Sequence, residues 1–89
     1  MPRVEFTPHL QRHVTVSSVD VAGSTVREVL DGVFAQNQTL RGYIVDEHGA
    51  LRKHVVVFVD GEAIEDRRGL SDSVSPHARI FVMQALSGG

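Results

Sequence analysis

The sequence predicts a two-layer α+β domain, a mixed sheet of 4–5 strands with one main helix packed across one face. Three observations predict it. Val26, Val29, Leu30, Val33 and Phe34 fall at i, i+3, i+4, i+7 and i+8, the single apolar stripe of an amphipathic helix. Segments of alternating apolar and polar residues lie on both sides of that stripe, at the period of half-buried strands. At 89 residues the chain has room for one domain with one modest core.

Val4-Glu5-Phe6 alternates and is bounded by Pro8. His9 to His13 is a connector in which Leu10 is expected to point inward. Val14-Thr15-Val16 and Val19-Asp20-Val21 alternate again, and Ser17-Ser18 breaks the parity between them, as a bulge or bend in one strand would. The first two strands therefore read as a hairpin. Thr25 followed three residues later by Glu28 is a capping box, which makes Thr25 the N-cap of the helix. Glu28 also places negative charge where the helix dipole favours it. Gly32 lies inside the helix at a cost of up to about 1 kcal/mol relative to alanine. The polar run Gln36-Asn37-Gln38-Thr39 ends it.

Leu40 to Val45 reads as a connector carrying at most a short strand at Tyr43-Ile44-Val45, and Asp46-Glu47-His48-Gly49 as a turn. The most β-prone run is His54 to Val59, which stops at Asp60-Gly61, a strong hairpin signal. Glu62-Ala63-Ile64 is the short return strand. Residues 67–76 are loop, and Arg79 to Gln84 is the last strand, running almost directly into Ala85-Leu86-Ser87-Gly88-Gly89. Taken alone, two terminal glycines fit a frayed end as well as a reactive tip, because they add no side chain to a core and order at the highest entropic cost.

The totals narrow the classes of function. Hydrophobic residues make up 42% and charged residues 22%, ordinary for a globular domain, and the net charge of −2 gives no overall basic footprint for nucleic acid. With no cysteine, the chain has no disulfide, no thiolate ligand and no cysteine nucleophile. No run approaches the roughly 18 apolar residues of a membrane helix. The N-terminus carries no apolar signal region, so a cytoplasmic protein without membrane partners is expected.

Three stretches carry a family resemblance. They are Thr25-Val26-Arg27-Glu28-Val29-Leu30 at the helix start, Val55 to Glu62 through the central strand and turn, and Ile80 to Gly89 through the last strand and diglycine end. In that order and at those spacings the chain resembles the MoaD/ThiS family of sulfur carriers, which have the β-grasp (ubiquitin-like) fold. The resemblance implies a β-grasp domain over residues 1–86 and a flexible tail over 87–89. It implies a last strand central in the sheet and parallel to the first. Val4, Phe6, Val55, Val57, Val59, Ile80 and Val82 would then face the helix. Val56, Phe58, Phe81 and Met83 would form an apolar patch on the open face, a surface for partners. A register misjudged by one residue would instead put these four partly inside.

The resemblance also implies the chemistry. An E1-like adenylating enzyme would use ATP to activate the carboxylate of Gly89. A persulfide sulfur donor would convert it to a thiocarboxylate, and a downstream sulfur-accepting synthase would take the sulfur. Gly88 and Ser87 would give access and reach. Ser87 stands where the family often has alanine, a change small enough to fit. The carrier would have no catalytic residue, metal or bound cofactor of its own, and its lack of cysteine matches a donor thiol supplied by a partner. The loop around Asp46 to Lys53 resembles the longer carriers, including the one that feeds a cysteine synthase, more than the short thiamine-pathway carrier. Molybdopterin, cysteine or a related metabolite stays open as the destination. A ubiquitin-like modifier joined to lysines through Gly89 would use the same tail, and a passive β-grasp interaction module is the third reading.

Other residues give weaker signals. His9 and His13 are four apart, as metal ligands on a helix can be, but they sit beside Pro8 without an evident third ligand. Arg52-Lys53 and Arg67-Arg68 either dock an acidic partner or are solvated, and Asp60, Glu62, Glu65 and Asp66 have the same two readings in the opposite sign. Gly23, Gly32 and Gly42 lack the spacing of a phosphate cradle, and Ser71, Ser73 and Ser75 belong to no nucleophile motif.

Overall fold

A computed structural model describes residues 1–7 and 18–84 of the chain. Its described elements run β1 (Arg3–Phe6), β2 (Ser18–Asp20), α1 (Val26–Gln36), α2 (Gln38–Ile44), β3 (Val55–Val59), β4 (Glu62–Ala63) and β5 (Arg79–Gln84). The strands form one sheet in the order β2-β1-β5-β3-β4. β5 is central and parallel to β1, as the family resemblance implies, and it is antiparallel to β3. The hairpin pairing of β1 with β2 is also present, with Val4 opposite Val19. The His9–His13 connector, the alternation at 14–16 and Ser17 lie outside the described residues.

Strand alternation decides what the sheet buries. Val4, Phe6, Val55, Val57, Ile80 and Val82 point to the helical layer and are buried there, and Val59 packs against them at the edge. From the other layer α1 contributes Val26, Val29, Leu30, Val33 and Phe34, the whole predicted stripe. Thr25 caps the helix as expected, its Oγ1 accepting the Glu28 N–H at 3.2 Å. The reciprocal half of the capping box is displaced by one residue. Glu28 Oε1 accepts from both the N–H and the hydroxyl of Ser24, at 2.9 and 3.1 Å. Ser24 offers two donors where the Thr25 backbone offers one.

A second helix, α2, replaces the expected connector and its short strand at Tyr43-Ile44-Val45. Leu40 and Ile44 are one helical turn apart and both fully buried, each contributing about 1.5–3 kcal/mol. Helical winding turns these two inward and leaves Arg41, Gly42 and Tyr43 exposed; a strand through 43–45 would alternate them instead. Asn37 ends α1, its N–H donating to the Val33 and Phe34 carbonyls, and the chain becomes extended only at Val45, which bridges Leu51.

Between those bridged residues the Asp46 carboxylate accepts from the N–H groups of His48 and Ala50. The turn closes through Gly49 at φ 81, a left-handed conformation that glycine adopts without strain. Asp60 and Gly61, at φ 50 and 87, form the two-residue hairpin loop joining β3 to β4, with Val59 opposite Glu62. The following loop is held by carboxylates. Asp66 accepts from Gly69 N–H, Ser71 N–H and the Ser71 hydroxyl, and Asp72 accepts from the N–H groups of Glu65 and Asp66. These bonds hold Leu70 in the core at φ 56, a conformation a leucine takes only under tertiary constraint. Backbone bonds from Val26 N–H to Asp72 and from Val74 N–H to Ser24 dock this loop on the start of α1.

Candidate functional site: the outer sheet face and the base of the tail

Among the described residues the sheet carries helices on one side only, so its outward residues form a surface. The register of β3 on β5 sets Val56 opposite Met83 and Phe58 opposite Phe81. Residues directly opposite on one face have Cβ atoms within about 5.5 Å, so the four side chains form one cluster. All four are half-buried, unlike the fully buried Val55, Val57, Ile80 and Val82 that alternate with them. The inward register that would hide them is therefore not the one adopted.

Two neighbours on this face were legible from parity but carried no motif. Glu5 lies opposite Phe81 on the β1 side, and Arg79 lies two residues before Phe81 on β5. Arg79 Nη2 donates to Glu5 Oε1 at 2.9 Å, and this bond together with the charge of Glu5 raises the Arg79 pKa. Arg3 pairs with Asp20 at 3.2 Å along the same end of the sheet. Asp60 accepts the Arg79 N–H at 2.9 Å and fixes the hairpin loop against that strand. A shallow concavity of about 530 Å³ lies here, lined by Glu5, Phe58, Asp60, Gly61, Arg79 and Phe81. The face thus has a polarity along β5: ion pairs at its start, and apolar side chains toward Gln84.

Gln84 is the last described residue, paired with Val55 at the end of the central strand. Ser87, Gly88 and Gly89 lie outside the described residues. What the structure fixes is their base: β3 pairs with β5 as far as Gln84, and β1 pairs with it on the other side as far as Val82.

The remaining charged candidates divide by role. Asp66 and Asp60 are occupied with backbone N–H groups, whereas Glu62 and Glu65 are exposed. The hydroxyl of Ser71, then the backbone N–H groups of Gly69 and Ser71, lower the Asp66 carboxyl to about 2. Backbone N–H donation from His48 likewise lowers the Asp46 carboxyl. Arg52 Nε donates to the Gly42 carbonyl at 2.7 Å and Arg67 Nη2 to the Arg52 carbonyl at 2.9 Å, so one member of each basic pair ties loops together. Arg27, which no pattern singled out, makes three such bonds, to the carbonyls of Gly69, Gly49 and Arg68 at 2.8, 3.1 and 3.2 Å. Among the described residues no three His, Asp or Glu side chains gather as metal ligands. No described helix is long and apolar enough to cross a membrane.

Comparison with known proteins gives a consistent result. The model of the ThiS family matches residues 6–89. A chain of the BexX/CysO complex of Amycolatopsis orientalis is similar at TM-score 0.88 and 26% identity, over 100% of both chains. CysO of Mycobacterium tuberculosis is similar at TM-score 0.84 and 20% identity, over 97% of this chain and 100% of that one. The small archaeal modifier protein SAMP1 of Haloferax volcanii is similar at TM-score 0.81 and 23% identity, over 99% and 98%. A search of curated proteins returned no significant match. The described sheet order, with helices on one face, is that of the β-grasp fold.

Proposed function

The chain belongs to the ThiS family, and from that premise we propose that it is a sulfur carrier activated at the carboxylate of Gly89. The observation that carries the reading is the family match itself, which runs from the first strand through Gly89 rather than stopping at the globular core. A carboxylate oxygen of Gly89 attacks the α-phosphate of ATP on an adenylating enzyme, and pyrophosphate leaves. A persulfide sulfur then attacks the acyl carbon and AMP leaves. A thiol then attacks the donor's own sulfur in the acyl disulfide, forming a disulfide with the donor and leaving the transferred sulfur on the acyl carbon as the terminal thiocarboxylate. That thiocarboxylate is a nucleophile, which a synthase uses as its sulfur source. The acid, base and metal chemistry belongs to the partners, and the carrier acts as their co-substrate.

The fold supports this division of labour. A central strand anchors the tail, and the half-buried cluster of Val56, Phe58, Phe81 and Met83 offers an adjoining apolar surface for the enzymes to hold. The CysO of Amycolatopsis orientalis is found in complex with BexX, and an enzyme–carrier complex is the assembly proposed for this chain as well. Gly88 and Ser87 let the terminus enter a narrow site. A cytoplasmic location fits these partners.

ATP–pyrophosphate exchange by a ThiS-family adenylating enzyme tests the activation step. Exchange should depend on this chain and should vanish when Gly88 and Gly89 are deleted. Exchange that survives the deletion would remove Gly89 from the reaction.

A further inference from the structure

The chain carries eight arginines and a single lysine, Lys53. That matters for a protein whose terminal carboxylate becomes an acyl-adenylate. A neutral amine attacks an activated acyl carbon, whereas a guanidinium stays protonated and does not. Lys53 Nζ is therefore the one side-chain amine that the sequence presents to its own tail. Its place is set by the sheet. Lys53 lies two residues before Val55, in the turn closed by the bond from Val55 N–H to the Arg52 carbonyl. Val55 pairs with Gln84, the last described residue of β5. Lys53 is exposed, and its side chain makes no hydrogen bond or ion pair among the described residues.

Chain length decides which amines the tail can meet. Paired Cα atoms lie at most about 5.5 Å apart and two residues add at most about 7 Å, so the Lys53 Cα is within about 13 Å of the Gln84 Cα. Residues 85–89 span up to about 18 Å. The carboxylate of Gly89 can therefore reach Lys53 with length to spare for the turn back. The α-amine of Met1 is placed differently. β1 runs parallel to β5, and Met1 lies beside His77 and Arg79 at the start of that strand. The five steps from Gln84 back to Arg79 already cover about 17 Å, which leaves the tail no residue with which to reverse direction.

We propose that Lys53 is an acyl-acceptor site for the chain's own activated tail, closing a lactam between its Nζ and the Gly89 carbonyl when no persulfide is at hand. The inference rests on the carrier reading and adds a second fate for its adenylate. The neutral Nζ attacks the acyl carbon, and the bond from that carbon to the AMP oxygen breaks. AMP leaves, and the nitrogen gives a proton to solvent. Tethering sets an effective concentration on the order of mM, so at low carrier concentration the ring forms ahead of a joined pair of chains.

The test incubates the full chain with ATP and the adenylating enzyme that accepts it, at low carrier concentration and without a persulfide donor. Intact mass should fall by one water. Trypsin should then release a branched peptide in which residues 53–67 are joined to residues 80–89. The fraction converted should not change when the carrier concentration is raised. Lys53→Arg keeps the charge and removes the amine, so it should support ATP–pyrophosphate exchange as the wild-type chain does and lose no mass. Adding His77→Lys to that variant returns a lysine at an exposed position before β5, at the end of the sheet away from Gln84, and should close no ring. An unchanged mass during active exchange would overturn the proposal and leave the carrier reading intact. A loss of water that persists in Lys53→Arg, or returns with His77→Lys, would overturn it too. A concentration-dependent dimer joined through Lys53 in place of the lactam would overturn it in favour of conjugation between copies. If the wild-type chain supports no exchange at all, the carrier reading fails and the lactam falls with it.

Discussion

Replacing Arg27 with methionine should release two loops at once. The methionine keeps most of the apolar stem and removes the guanidinium, so the loss isolates the hydrogen bonds. Nη2 donates to Gly49 in a partly buried setting at 3.1 Å and to Arg68 at 3.2 Å, and Nε donates to Gly69 at 2.8 Å. A bond from a charged donor contributes about 1.5–3 kcal/mol when water is excluded, and much less where water can replace it. Taking the Gly49 bond near the lower figure and the two exposed ones at a few tenths each gives a loss of about 2 kcal/mol. For a domain of this size that is a fall in Tm of about 10 °C. Urea titration gives the equilibrium loss, and hydrogen exchange localises it. Amides near Gly49 and Gly69 should exchange faster than the global loss accounts for, while those of β5 should speed up only in proportion to the lost global stability. Arg27→Lys should recover less than half, since an ammonium cannot span three carbonyls as the fork does. A loss below about 0.5 kcal/mol, or one without local exchange at either loop, would refute the clamp.

Other outcomes follow from the same geometry. Leu40→Ala or Ile44→Ala should cost about 2–5 kcal/mol in a urea titration, because both fill the core from α2; a surface connector would lose under about 0.5. The folded-state carboxyl of Asp66 lies at about 2, below its ordinary 3.8, so it adds stability that is fully present above pH 4 and is lost as pH falls from 3.8 to about 2. Stability measured down to pH 2 should therefore fall less steeply in Asp66→Ala than in the wild-type chain, and equal slopes would contradict the assignment. Phe58→Ser and Phe81→Ser should each raise KM for the carrier in the exchange assay by about thirtyfold if the outer face is where the enzyme binds. Being half-buried, each should cost only about 1–2 kcal/mol of stability.

What the sequence disclosed was mostly what local periodicity encodes. The stripe from Val26 to Phe34, the cap at Thr25, the Asp60-Gly61 turn and the alternation of β3 and β5 each have a short-range signature, and their order was enough to indicate the fold. The helix α2 escaped because its evidence is one pair, Leu40 and Ile44, within seven residues that include Gly42. Intrinsic propensity over so short a stretch is weak, and burial against the rest of the core decides it. The arginine clamps escaped for another reason. Arg27 and the Gly69 carbonyl are 42 residues apart, and a bond from a side chain to a distant carbonyl leaves no pattern in the sequence. Of the candidate site, the outward parity of Val56, Phe58, Phe81 and Met83 was legible. The ion pair of Arg79 with Glu5 required the parallel register of β1 on β5.

The central claim is that Gly89 exists to be chemically loaded, and mass reports that directly. The intact chain would be incubated with ATP, its adenylating enzyme and a persulfide donor, beside a chain lacking Gly88 and Gly89, and both would be weighed by mass spectrometry. The account predicts that the full chain gains the difference between one sulfur and one oxygen, that the increment maps to Gly89, and that the shortened chain gains nothing. An unchanged mass for the full chain in the presence of active enzyme and donor would contradict it, and an adduct joined through Gly89 to a lysine would assign the tail to conjugation instead.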